Sequence, residues 1–448
     1  MSLVSLGRVR SAAMNTINGN VLPIAIDFGV SALKVLQLSS GDPPALVAAA
    51  CLPTPENFLG DPAKRFEFQF KAVSKLIRSV GFKGKRAMCA IPSAQMFCKH
   101  MQFPKSDSVD VSELVRQAVP DALGCASEAL IYRHVIVEGA TASSNGAAAQ
   151  GLQQTVGGVK QEVICMAASR QFIGQMMESI RDAKLEPVGM HPECLSSMRA
   201  FEQINRRDAD SKIATLYLDL ATGTTKAWIT HGNALVFAKV IAVGGRDLDI
   251  AVARSLDCDL TTARSRRLNA TVLVAEAVRP ATLRSTAPLP VGGLAILAAA
   301  MARDGAPVDN VLMPFGDIAV AEDRRTGGDA PGLTQDVARQ TPAPVAPPDF
   351  DVREPLEMLT DEISGCLRYH QALFSGRKID RVIFMGGEAR HRGLCQHIAR
   401  RVKAPAHVAD PLARMARTGK EPCHGVDFGA MQPGWTTVFG LGMCPTDF

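Results

Sequence analysis

Read as a pattern of apolar and polar positions, the chain carries one segment twice. Ile24–Ile26 runs into Asp27, Gly29 and Ser31 lie in a turn of small residues, and Lys34 opens a second apolar run, Val35–Leu38. Leu216–Leu218 runs into Asp219, Gly223-Thr224-Thr225 follow, and Lys226 precedes Ala227-Trp228-Ile229. The Lys stands at the same spacing from the Asp in both copies. Such a pattern predicts a strand–turn–strand hairpin. Backbone N–H groups in a small-residue turn can point at an anion, and an Asp at the strand end can hold a hydrated cation. Two such hairpins facing each other would clamp a phosphate chain from both sides. Lys34 and Lys226 suit either a phosphate contact or a solvated strand edge.

Around these hairpins the pattern alternates between strands and helices. Ile24–Asp27, Lys34–Leu38 and Leu46–Cys51 read as a meander, and Phe70, Val73, Leu76 and Ile77 recur at helical spacing over Phe66–Val80. Met88–Ile91 is an apolar run. Asp110 and Glu113 form a capping-box-like start for a helix through Leu123. Ile131–Val137 and Glu162–Ala167 read as strands, with a small, polar loop over 139–158 between them. Ser169 caps a helix whose Ile173, Met176, Met177 and Ile180 are core filler. Residues 84–187 thus form a compact αβ insert. Helices follow over Glu193–Ile204 and, after Gly244-Gly245, over Leu248–Leu256. No elements are assigned over 270–320, and the Pro-, Gly- and charge-rich stretch 322–350 reads as a linker. A helix from Glu354 precedes strand Arg381–Met385, a turn at Gly386-Gly387-Glu388 and a helix over Gly393–Val402. Strand, glycine turn and helix let backbone approach a ligand closely.

At 448 residues the chain needs more than one core. A net charge of +5, spread along the chain, gives no support to nucleic-acid binding. Eleven scattered Cys without a C-x-x-C pair read as reduced thiols, and the nine His show no metal-ligand spacing. No apolar run reaches the length of a membrane span. The first twenty residues lack the apolar core of a signal peptide and read as a disordered or weakly amphipathic tail.

The paired hairpins, followed by Val382-Ile383-Phe384-Met385-Gly386-Gly387, resemble the actin-like ATPase superfamily. Finer matches resemble its PilM branch: Lys83–Pro92, Met101–Pro104, Asp182–Pro187, Gly386–Leu394, Ala409–Leu412 and Thr436–Gly442. PilM is the FtsA-like cytoplasmic component of type IV pilus assembly. The resemblance implies an α/β actin-like fold, with two lobes of duplicated βββαβα type around a nucleotide cleft and an inserted small αβ subdomain. It divides the chain into a tail (1–20), the start of the first lobe (21–83), the insert (84–187) and a linking helix (188–212). A second lobe with an accessory subdomain (213–321), the linker (322–350) and the second lobe's return to the first (351–448) complete it.

ATP and magnesium are the implied ligands. Asp27, Gly29, Ser31 and Lys34 match the first phosphate motif, and Asp219, Gly223, Thr224 and Thr225 the second. Gly386 and Gly387 match the adenosine motif, and Gly244 and Gly245 the glycine pair facing the nucleotide. Asp27 and Asp219 would act on magnesium through water. The implied partner is the N-terminal peptide of a PilN-like inner-membrane protein, held by the insert through strands Met88–Ile91 and Glu162–Ala167. The implied location is the inner face of the inner membrane, with self-association as a further property. The chain departs from the family in two places. His191 stands where many relatives carry an acid before Pro, with Glu193 displaced from that position. Arg264 and Arg267 lie on the helix where relatives carry a Glu near the ribose. Turnover is therefore expected to be slow or absent. A small-molecule kinase and an FtsA-type division filament are the alternative readings of the same fold.

The segment Asp323–Pro348 offers little apolar surface to offset its chain entropy. Its deletion should leave the melting temperature nearly unchanged in a thermal unfolding scan. A large drop would show that it packs.

Overall fold

The computed structural model describes residues 21–105, 110–140, 160–202, 205, 208–274 and 348–446. The expected N-terminal tail, nearly all of the 139–158 loop, and most of 270–350 with its accessory subdomain and linker lie outside these residues. From the N-terminus, strands β1 (Ile24–Phe28), β2 (Ala32–Ser39) and β3 (Ala45–Pro53) lead to helix α1 (Pro62–Val80) and β4 (Arg86–Ile91). Next come β5 (Met96–Pro104), α2 (Val111–Leu123), β6 (Leu130–Val137), β7 (Lys160–Ser169), α3 (Arg170–Asp182), β8 (Glu186–Pro192) and α4 (Glu193–Arg199). The second half holds β9 (Ala214–Leu220), β10 (Thr225–His231), β11 (Ala234–Ile241), α5 (Gly245–Leu256) and α6 (Leu260–Asn269). It continues with α7 (Arg353–Leu373), β12 (Arg381–Met385), α8 (Arg392–Val402), β13 (Ala406–Val408), β14 (Cys423–His424) and α9 (Thr436–Leu441).

Two sheets repeat one topology. In the first, β1–β3 form an antiparallel meander, β4 joins β1 in parallel, and β8 joins β4 in parallel. In the second, β9–β11 form the meander, β12 joins β9 in parallel, and β13 joins β12 in parallel. Both central strands are buried along their whole length, as apolar strands covered on both faces must be. Helix α1 starts at Pro62, ahead of the expected Phe66, and local groups close both of its ends. Asp61 caps α1 by accepting from the Lys64 N–H, Pro62 fills the first turn, and Gly81 ends the helix at φ 87°. The apolar stripe of α1 packs on that of α3, where Phe66 and Phe172 meet edge to face at 4.9 Å.

The insert is narrower than 84–187. Strand β4 lies inside the first sheet, paired with β1 and β8, and α3 packs on α1. A separate three-stranded sheet, in the order β5-β7-β6, forms over Met96–Ser169 with α2 on one face. Both stretches expected to hold a peptide, Met88–Ile91 and Glu162–Ala167, are paired on both sides, so their backbone groups are already used. Among the described residues β5 and β6 are the two edges of this sheet. Strand β8 was hidden from the pattern by Pro187, Gly189 and Pro192, which are tolerated because β8 is itself an edge. Helix α4 is confined to Glu193–Arg199, and β14 and α9 bring the chain back to the first sheet.

Helices α4 and α9 cross closely. A Cβ at Gly440 would lie 2.0 Å from the Ser196 carbonyl oxygen and 2.9 Å from the Ala200 nitrogen. Gly440→Ala should lower stability by about 3 kcal/mol, because backbone cannot yield as a side chain can. Urea unfolding of the variant beside the wild type measures it.

Candidate functional site

The two hairpins project into one cleft between the lobes. The shared Asp–Lys spacing has a simple geometric meaning: in each ladder the Lys is the cross-strand partner of the Asp, Asp27 opposite Lys34 and Asp219 opposite Lys226. The cleft opens to solvent and spans about 710 Å³ with its open mouth included. Asp27, Gly29, Ser31, Lys34, Glu193, Asp219, Thr224, Gly386 and Gly387 all line it. Ser93, Arg65, Thr222, Lys226 and Gly434 line it too, and the sequence reading had not singled them out as site residues apart from Lys226. The turn at Pro433-Gly434 was the available signal for the last of these.

The remaining expected residues stand behind the cleft. Gly223 sits against Val30 at the tip of the other hairpin, where a Cβ would lie 3.2 Å from Val30 Cγ2. Thr225 is buried within β10 opposite Leu220. Gly244 lies under the second hairpin, where a Cβ would come within 2.6 Å of the Thr222 oxygen and the Thr224 nitrogen. Gly245 donates its N–H to Ala221 O at 3.0 Å. His191 is buried on β8 opposite Ala90, outside the cleft lining.

The lysines behave differently. Lys34 Nζ donates to the Gly434 carbonyl. Lys226 Nζ donates to Glu193 Oε1 at 2.7 Å and to Asp219 Oδ2 at 3.0 Å. Glu193 Oε2 accepts from the Ser93 N–H at 2.8 Å, so both its oxygens are engaged. Burial pushes the Asp27 carboxyl up to about 6, with Lys34 opposing and Glu193 adding to the rise. Burial also raises Asp219, and Lys226 only partly offsets it. Glu193 is equally buried, yet the attraction of Lys226 and the hydrogen bonds from Lys226 and Ser93 hold it below the ordinary carboxyl range. Lys226 is raised: burial disfavours its charge, and Asp219 and Glu193 more than restore it.

Beside Asp219, Gly386 adopts φ 87°, and a Cβ there would lie 2.3 Å from Asp219 Oδ1 and from Leu220 O. Only glycine fits. Beyond it, Glu388 Oε2 accepts from Arg267 Nη1 at 2.7 Å, and Arg267 Nε donates to Asp249 Oδ1 at 2.7 Å. The Arg267 side chain is wholly buried. Glu388 Oε1 lies so close to Gly245 that a Cβ there would be 2.1 Å away.

These residues divide in their fit to the implied ligands. The hairpin backbones, Lys34 and the Gly386-Gly387 turn fit the phosphates of a nucleotide. A magnesium ion does not fit beside Asp219 as the side chains stand. The Lys226 ammonium occupies that position, 3.0 Å from Asp219 Oδ2 and 2.7 Å from Glu193 Oε1, so a cation would reach these oxygens only by displacing it.

Among solved structures, the chain is similar to a chain of the PilM-PilN type IV pilus biogenesis complex. The two are 17% identical, with a TM-score of 0.61, over 94% of this chain and 97% of that one. The fold is the actin-like ATPase fold. The ethanolamine utilization protein EutJ from Carboxydothermus hydrogenoformans also aligns, at 11% identity and a TM-score of 0.42, over 96% of this chain and 91% of that one. No protein-family model and no curated protein matches the chain. At such identities the likeness establishes the fold.

The raised Asp27 carboxyl has a thermodynamic consequence. The folded chain holds this proton up to about pH 6, against an ordinary value of 3.8. Stability is therefore lost as pH rises through that window and stays at the lower level above it. Asp27→Asn, which cannot ionise, should be more stable than wild type at about pH 7.5, by up to about 3 kcal/mol. The gap should close towards about pH 4. Chemical unfolding of both proteins across that range checks the sign.

Proposed function

We propose that this chain is an actin-like, nucleotide-binding scaffold of a type IV pilus inner-membrane assembly platform, which docks the N-terminal tail of a PilN-like membrane protein. The observation that carries this reading is the likeness to the PilM-PilN complex along nearly the whole of both chains. The inserted three-stranded sheet offers a place for a peptide: among the described residues β6 is one of its two edges, and it is the one on which Ile131 and Ile136 are exposed. An unpaired edge with apolar side chains is how extended peptides are held. Among the described residues no helix is long and apolar enough to cross a membrane. Such a scaffold reaches the inner face of the inner membrane through its partner.

In this reading the cleft takes ATP by its phosphates. The turns after Asp27 and Asp219 supply backbone donors, Lys34 supplies charge, and Gly386-Gly387 lets the backbone approach. Hydrolysis is slow or absent, because Glu193, the acid nearest the phosphate turns on the linking helix, spends both oxygens on Lys226 and the Ser93 N–H. An idle general base supports a nucleotide-bound scaffold over a turnover enzyme.

The test is capture of the cytoplasmic tail of a PilN-like protein encoded beside this chain. Full-length protein should retain the tail. A variant carrying Ile131→Asp and Ile136→Asp should lose affinity on the order of tenfold or more, as two apolar anchors become charged. Its melting temperature should stay close to wild type. Equal retention by both proteins would remove β6 as the docking edge.

A further inference from the structure

Lys226 belongs to the second lobe, on β10, and Glu193 to the first, on α4. One ammonium therefore joins the lobes across the floor of the cleft, 2.7 Å from Glu193 and 3.0 Å from Asp219. All three side chains are buried, at 9%, 11% and 6% exposure. Two buried carboxylates facing each other across a cleft need a cation between them. Here the chain supplies it from the hairpin itself, in the space beside Asp219 where a hydrated divalent ion would otherwise sit. Among the described residues no cluster of three His, Cys, Asp or Glu side chains is arranged to hold a metal.

We propose that Lys226 is the resident cation of this cleft. It neutralises Asp219 and Glu193, ties the two lobes together, and makes the cleft independent of divalent metal. A polyphosphate ligand then binds to the hairpin turns and Lys34 equally well with or without magnesium. This last consequence rests on the nucleotide reading; the structural role of Lys226 does not.

Two measurements on the full chain separate these. In thermal unfolding, wild type should melt at the same temperature in magnesium chloride and in EDTA. Lys226→Met, which leaves the carboxylates without a cation, should melt lower in EDTA and recover in magnesium. The double variant Lys226→Met, Glu193→Gln should show a smaller magnesium response than the single one. A clear magnesium-dependent rise in the wild type overturns the proposal, whether or not Lys226→Met folds. So does a folded Lys226→Met that ignores magnesium. In calorimetry, the affinity of wild type for ATP should agree within about threefold between magnesium and EDTA, and a gain of about tenfold or more with magnesium would overturn metal independence. ATP that binds in neither buffer counts against the nucleotide reading alone, and the melting comparison then judges Lys226.

Discussion

The structure turns on carboxylates buried where two sheets meet. Asp27 and Asp219 end the central strands of their sheets, and each sheet delivers its strand end to the same cleft. A carboxylate so placed is costly unless something compensates it. The chain compensates the two unequally. Asp219 has Lys226 in direct contact, whereas Lys34 turns from Asp27 to the Gly434 carbonyl. The first hairpin therefore keeps a carboxyl poised near neutrality, and the second keeps an ion pair. A duplicated motif has become two different sites through the reach of one lysine.

The same economy runs outward from the cleft. At its mouth, Arg264 of α6 pairs with Glu56 of the first lobe at 2.7 Å and with Asp249 at 2.8 Å. Next to it, Arg267 joins Asp249 to Glu388, so these buried charges are satisfied by one another. The insert adds a third link. Ala238 of β11 donates its N–H to His100 Nε2 at 3.2 Å, which leaves the imidazole proton on Nδ1, 3.0 Å from Glu162 Oε1. Tyr369 of α7 donates to the same oxygen at 2.5 Å. Burial would raise Glu162, but the His100 and Tyr369 hydrogen bonds hold it below its ordinary range. The Arg264–Glu56, Arg267–Glu388, Ala238–His100 and Tyr369–Glu162 contacts bridge elements far apart in the chain, and with the Lys226 pair they tie the lobes and the insert together.

Much of this was legible in the residues. The apolar runs around Asp27 and Asp219 located both central strands. Gly81 and Ser169 marked helix ends that the structure uses as caps, and Gly386 marked a backbone position that only glycine can occupy. These features share a cause: each depends on dihedral preference, period or capping within a few residues, which sequence order encodes directly. The insert was legible as a composition but not as a boundary. A buried run such as Met88–Ile91 declares that it is a strand and does not declare its neighbours.

The sequence by itself determined the pair of hairpins, the strand, glycine turn and helix at Arg381–Val402, and the Asp–Lys spacing that places each lysine across from its aspartate. Only the tertiary structure decided which lysine stays with its aspartate, that Glu193 and not His191 enters the cleft, and that Glu388 folds over Gly245 onto Arg267. The physical reason is range. Hydrogen-bond ladders and helix caps act between near neighbours, whereas the energy of a buried charge depends on every group that packing brings around it. Glu193 and Lys226 are strangers in the sequence, and they meet because two sheets close on one another.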